Sequence, residues 1–143
     1  MYDTAPQDAR PGTGTAPAKP VPAGLLYTLR VAIVAQAVTL VVTASLAGQS
    51  VSTDGAMGEA HVMAGMLVHL VALVQIICAV LVWRPGRGAG WPALVSFGLF
   101  LVGMAQHFTW ELLSAHVPNG VILFGLITAM LLWAWSPGAS RRR

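Results

Sequence analysis

The sequence predicts an all-α integral membrane protein, an up-down-up-down four-helix bundle with its N-terminus and C-terminus in the cytoplasm. Three observations carry that expectation. The 143 residues are 56% hydrophobic and only 9% charged, against roughly 25% charged in soluble domains, too little charge to cover a water-facing surface. Four apolar stretches, Leu25–Ala47, Val62–Trp83, Trp91–Trp110 and about Val117–Trp135, each approach the roughly 20 residues that carry a helix across about 30 Å of hydrocarbon. The basic residues, finally, are confined to one side of those stretches.

Residues 1–24 are rich in Pro, Ala, Thr and Gly without apolar periodicity and read as a disordered cytoplasmic tail. A transmembrane domain over residues 25–136 follows, with helices expected at about 25–47, 61–83, 91–112 and 116–135, and residues 137–143 form a basic tail. The first apolar stretch exceeds the 7–15 residues of a signal-peptide core and has a long segment before it, so it is read as a retained helix. Arg30, the one formal charge inside a stretch, lies close enough to an end to snorkel. Pro118 is expected in the first turn of the last helix, where its missing N–H has no helical partner. The short connections "RPGRGAG" and "ELLSAHVPN" make sequential helices antiparallel neighbours.

Arg10, Lys19, Arg30, Arg84, Arg87 and Arg141–Arg143 all fall in the two tails or the second loop, whereas the first and third loops hold Asp54, Glu59 and Glu111 without Lys or Arg. Under the positive-inside rule both termini are cytoplasmic and loops one and three face outward. All five tryptophans lie at segment ends, as an interfacial belt requires. A single Lys and a single Asn among many Ala, Gly, Val and Arg point to a GC-rich bacterial genome and hence to the bacterial inner membrane. The basic residues are too scattered for a nucleic-acid stripe, so no nucleic-acid partner is expected. The lone Cys78 excludes an internal disulfide and any multi-cysteine metal site.

"AHVMAG" (Ala60–Gly65) and "AHVPNG" (Ala115–Gly120) repeat a His-x-x-x-Gly pattern. His61 and His116 each open an outward-to-inward helix, and the second and fourth helices of a square bundle are diagonal neighbours. Two imidazoles at similar depth can then hold a planar haem between them. Gly65 and Gly120 sit one turn deeper on the same faces, where the lack of a side chain lets backbone approach a macrocycle. The face of His61 continues through Val68, Ala72, Gln75 and Ala79, mostly small residues turned inward. His69 lies about 80° round and about 12 Å deeper, at a depth that lets it pair with His107. An ionisable side chain within a membrane helix is by default a functional candidate, though Gln106 could simply satisfy His69. Glu59 is either a solvated charge or an acceptor that orients His61.

The four-helix layout, the outward-facing histidines opening helices two and four, and the phrase "AHVPNGVILFG" resemble one half of a heme A synthase, and small bacterial four-helix membrane proteins of the same layout. The resemblance covers about residues 25–135. It implies that His61 and His116 are paired haem ligands. Glu59-Ala60-His61 is one residue shorter than that family's Glu-x-x-His pattern, and the outer-loop cysteines and second half are missing. The resemblance therefore implies haem binding rather than oxidation of a haem methyl group, with a homodimer able to restore eight helices.

Three functions remain open at this stage. The first is a b-type haem protein with bis-histidine ligation near the outer face, serving electron transfer or haem handling in respiratory-enzyme assembly, and more plausibly not an enzyme on its own. The second is a cofactor-free membrane subunit or scaffold of a larger complex, with respiratory-complex subunits as partners. The third is copper handling, because Met57, Met63, Met66 and Met104 beside the histidines form the soft-to-borderline ligand set that suits copper. Beyond the histidines and glycines no catalytic constellation presents itself.

Overall fold

The computed structural model describes residues 19–142 and contains four α-helices, each long and apolar enough to cross a membrane. They are α1 (Ala23–Ser52), α2 (Gly58–Trp83), α3 (Trp91–Phe108) and α4 (Leu113–Ala134), followed by a 3₁₀ turn over Pro137–Ser140. In chain order each helix packs on the next, α4 closes back on α1, and the two diagonals make no direct backbone approach. The result is a four-helix bundle whose core is a single column of aliphatic side chains around Leu29, Ile33, Leu99, Ile127 and Met130.

A side-chain hydrogen bond crosses each of the four seams, and together these bonds show that neighbours run antiparallel. His61 at the start of α2 donates through Nδ1 to the carbonyl of Thr43, late in α1, at 2.9 Å. Gln75 of α2 donates to Ser96 Oγ of α3 at 3.0 Å, and Asn119 of α4 donates to the Val102 carbonyl of α3 at 2.8 Å. Arg30 Nε of α1 donates to the Ala134 carbonyl at the end of α4 at 2.9 Å. Polar contacts of this kind act as glue between helices that hydrocarbon does not press together.

The outward surface is apolar: Val31, Val38, Leu70, Ile77, Phe97 and Leu132 are all exposed. A patch of that extent needs lipid or another apolar partner. Hydroxyls on the helices satisfy themselves, as when Thr39, Thr43 and Thr128 donate back to carbonyls four residues earlier, so none needs water at membrane depth. Val68, Ala72, Gln75 and Ala79 on α2 are buried.

Helix ends depart from the hydropathy pattern where polar residues continue a helix or apolar residues leave one. α1 runs on through Gly48–Ser52 because its hydrogen-bonding pattern, unlike its hydropathy, does not stop at the membrane surface. α3 ends at Phe108, short of residue 112, and α4 begins at Leu113, ahead of residue 116. Trp110 and Leu112 thus belong to a tight turn. Pro118 is in consequence the sixth residue of α4, inside the helix rather than in its first turn, and the Ser114 carbonyl loses its helical donor.

Residues 1–18 of the expected tail lie outside the described residues. The segment just after them is not a loose tail: Val21 is 3% exposed and its N–H donates to the Ser140 carbonyl at 2.9 Å. Nor is 137–143 wholly a tail, since Ala139 is fully buried within the 3₁₀ turn. The segments that flank the four helices are therefore clasped at one end of the bundle. Arg30 reinforces that end by stacking over Trp135, 5.6 Å from the ring centre, and by neutralising the carbonyl-rich C-terminus of α4.

Arg30→Ala is expected to lower stability by about 1 kcal/mol through loss of this helix-terminal interaction, and Arg30→Lys to recover only part, lacking the planar stack. Reversible unfolding in mixed detergent micelles measures both.

Candidate functional site

Opposite the clasped end the bundle opens into a cavity of about 800 Å³ lined by all four helices. That volume lies in the range of roughly 300–1,000 Å³ common for small-molecule and cofactor sites. Its walls are mainly apolar, with Leu40, Val68, Leu123 and Phe124 toward the core, and its polar side chains are Thr43, Gln106 and the four histidines. His61, Gly65, His69, His107, His116 and Gly120 all line this one space. Among the described residues no lysine or arginine does.

The space exists because the helices end unevenly. α1, with 30 residues, is about 45 Å long at 1.5 Å per residue, and its outer half supplies Thr43, Ala44 and Ala47 as one wall. α3, with 18 residues, reaches only about 27 Å and turns back at Trp110. The wall contributed by α1 was not foreseen from the sequence, because nothing in Thr43, Ala44 or Ala47 marks a site.

His61 and His116 come from the diagonal helices and face one another across the cavity, with ring centres 6.3 Å apart and planes inclined at 58°. With metal–imidazole bonds of about 2 Å and each ring centre about 1 Å behind its nitrogen, an ion held from both sides needs ring centres about 6 Å apart. The separation of the two rings matches that spacing. A Cβ placed on Gly65 meets no atom within 4 Å, so this glycine opens onto free space rather than serving a tight helix contact.

The ring nitrogens are oriented from behind. A carbonyl can only accept, so the 2.9 Å bond to Thr43 puts the His61 proton on Nδ1 and leaves Nε2 as a lone pair. His69 is set the same way, by a 2.7 Å bond from Nδ1 to the Gly65 carbonyl. A histidine whose far nitrogen donates to a carbonyl has the usual arrangement of a metal ligand. Of the alternatives the sequence left open, Gln106 does not satisfy His69, and Glu59 is exposed, as a solvated charge would be, and does not orient His61. Sequence reasoning missed them because backbone carbonyls are present at every residue and carry no signature.

His69 and His107 form a second pair, ring centres 4.8 Å apart and planes at 35°, with Phe100 edge-on to His69 at 5.9 Å. His69 Nε2 is buried without a hydrogen-bond partner and lies against Gly103, where a Cβ would come within 3.2 Å of it. His107 is exposed at the rim.

The methionines stand apart from this arrangement. Met63 and Met66 are 69% and 57% exposed on the outer surface of α2, and neither they nor Met57 and Met104 line the cavity. Among the described residues no group of three or more His, Cys, Asp or Glu side chains is placed to hold a metal ion.

The two glycines separate by substitution. Gly65→Ala is expected to raise stability by about 0.5–1 kcal/mol, the usual gain in a helix interior with free space, while Gly103→Ala gains nothing because its methyl group displaces His69. Thermal unfolding in detergent checks both.

No family model, no curated protein and no solved structure matches this chain.

Proposed function

We propose that this chain is a b-type haem-binding membrane protein in which His61 and His116 hold the iron from opposite sides near the outer face. The observation that carries this reading is the 6.3 Å separation of two imidazoles from diagonal helices inside a largely apolar cavity. Gly65 leaves the space beside His61 clear, and the Thr43 carbonyl holds the His61 ring with Nε2 free. His61 and His116 would hold the haem, which when bound would supply one-electron transfer. The protein's part is to fix two imidazoles, exclude water with Leu40, Val68, Leu123 and Phe124, and keep the redox group within reach of the outer surface. Electron transfer, or haem handling during assembly of respiratory enzymes, follows from that arrangement, with a homodimer or a respiratory-complex subunit as partner.

The proposed setting is the bacterial inner membrane with both termini in the cytoplasm. Supporting it are the basic residues at the clasped end, where Arg84 stacks on Trp83 at 4.6 Å, and the acidic Asp54, Glu59 and Glu111 at the cavity end.

A reduced-minus-oxidised absorption spectrum of protein purified from haem-sufficient cells tests the reading. A low-spin b-type band is expected in the wild type and is lost in both His61→Ala and His116→Ala; a colourless wild type sinks the proposal. For sidedness, in a Cys78→Ala background, Ser52→Cys is expected to react with a membrane-impermeant maleimide on intact cells, and Gly138→Cys only after lysis. The reverse pattern would invert the topology.

A further inference from the structure

His116 differs from His61 and His69 in what stands behind it. Its Nδ1 faces the amide of Gln106 on α3 rather than a carbonyl, and an amide can present either a donor or an acceptor. The surroundings choose. With its nitrogen toward His116, Gln106 donates to His116 Nδ1 at 3.0 Å and to the His116 carbonyl at 3.1 Å, while its oxygen accepts from the Gly120 N–H at 3.2 Å. The opposite orientation would set amide oxygen against the His116 carbonyl oxygen and amide N–H against the Gly120 N–H, so these two backbone groups, whose roles are fixed, select the first. The Gln106 amide thus spans the two ends of one helical turn, from His116 to Gly120, just where Pro118 removes a backbone donor.

An amide N–H pointing at Nδ1 makes that nitrogen an acceptor, and the proton of a neutral imidazole must then be on Nε2. Nε2 is the nitrogen His61 leaves bare for a ligand. We propose that Gln106 is a positioning residue that holds His116 in its Nε2–H tautomer and so gates any metal at that histidine. Loading Nε2 moves the proton to Nδ1, and the amide must turn so that its oxygen accepts from Nδ1–H. The turn sacrifices the contacts to the His116 carbonyl and the Gly120 N–H. His61 is ready to ligate, whereas His116 is latched, and a ligand engages them in that order. The tautomer assignment stands on the geometry of the free protein; its consequence for haem rests on the function proposed above.

The test uses full-length protein labelled with ¹⁵N-histidine in micelles at pH 8, with His116 resonances identified by their loss in His116→Ala. In the ligand-free wild type, Nε2 of His116 is expected to be protonated and Nδ1 to be a hydrogen-bonded acceptor. Gln106→Leu should give a mixture of tautomers, and Gln106→Glu, whose carboxylate can only accept, should move the proton to Nδ1. Unchanged His61 signals and helical content report that the variants fold. A wild-type His116 protonated on Nδ1, or one tautomer common to all three proteins, would overturn the proposal.

Haem titration of the same three proteins reads the gate. Gln106→Glu is expected to bind about tenfold more tightly than wild type, the equivalent of one or two hydrogen bonds no longer broken on loading, and to show a lower midpoint potential because a carboxylate makes the ligand more basic. Equal affinities and potentials would overturn the gate. Failure of every variant to take up haem, with the tautomer reversal intact, would remove the haem function and leave Gln106 in control of His116.

Discussion

Hydrocarbon offers a polar group no partner, and nearly every feature of this bundle follows from that constraint. Polar side chains that cannot reach the ends must find one another, and they do so one seam at a time, through His61 to Thr43, Gln75 to Ser96, Asn119 to Val102 and Arg30 to Ala134. Three of these four bonds end on backbone carbonyls, which the helices supply without a matched pair of polar side chains. Gln36 shows the cost most fully: it is fully buried and neither atom of its amide has a protein partner, and His69 Nε2 and Gln75 Oε1 are also buried without one. Gln36 lies one turn deeper than Leu40, the residue that lines the cavity floor.

The same constraint separates the two ends of the molecule. At the clasped end, packing is continuous from Val21 through Val82 to Ala139, and polar groups are taken up by Arg30 and the backbone. At the other end four histidines and Gln106 are gathered around open space. One short bundle thus has a closed end, where the segments flanking the four helices meet, and a hollow end that holds the binding volume.

Much of this was legible in the residues. Four helices follow from the length of the apolar runs, and the inward direction of His61 follows from its shared face with Val68, Ala72, Gln75 and Ala79, all buried. The matched His-x-x-x-Gly spacing brought His61, Gly65, His116 and Gly120 to one cavity. What escaped the sequence was of two kinds. Backbone partners such as the Thr43 and Gly65 carbonyls are invisible to residue type, so the sequence offered only side chains, Glu59 and Gln106, as alternatives for orienting His61 and satisfying His69. Helix ends were drawn where hydropathy changes, but Gly48–Ser52 and Leu113–Ala115 keep helical hydrogen bonding beyond that point, which is why Pro118 proves to be interior.

The bond between Val21 and Ser140 has a consequence for how such a chain could grow. Four helices return the polypeptide to the end of the bundle from which α1 starts, and the clasp brings Val21 and Ser140 together there. Joining a second copy of the four-helix unit at this point would therefore need only a short linker, and that copy would run in the same sense as the first, its hollow end level with its twin's. A domain joined directly before Val21 or after Ser140, by the same logic, sits beside one end of the bundle and leaves the opposite mouth unobstructed.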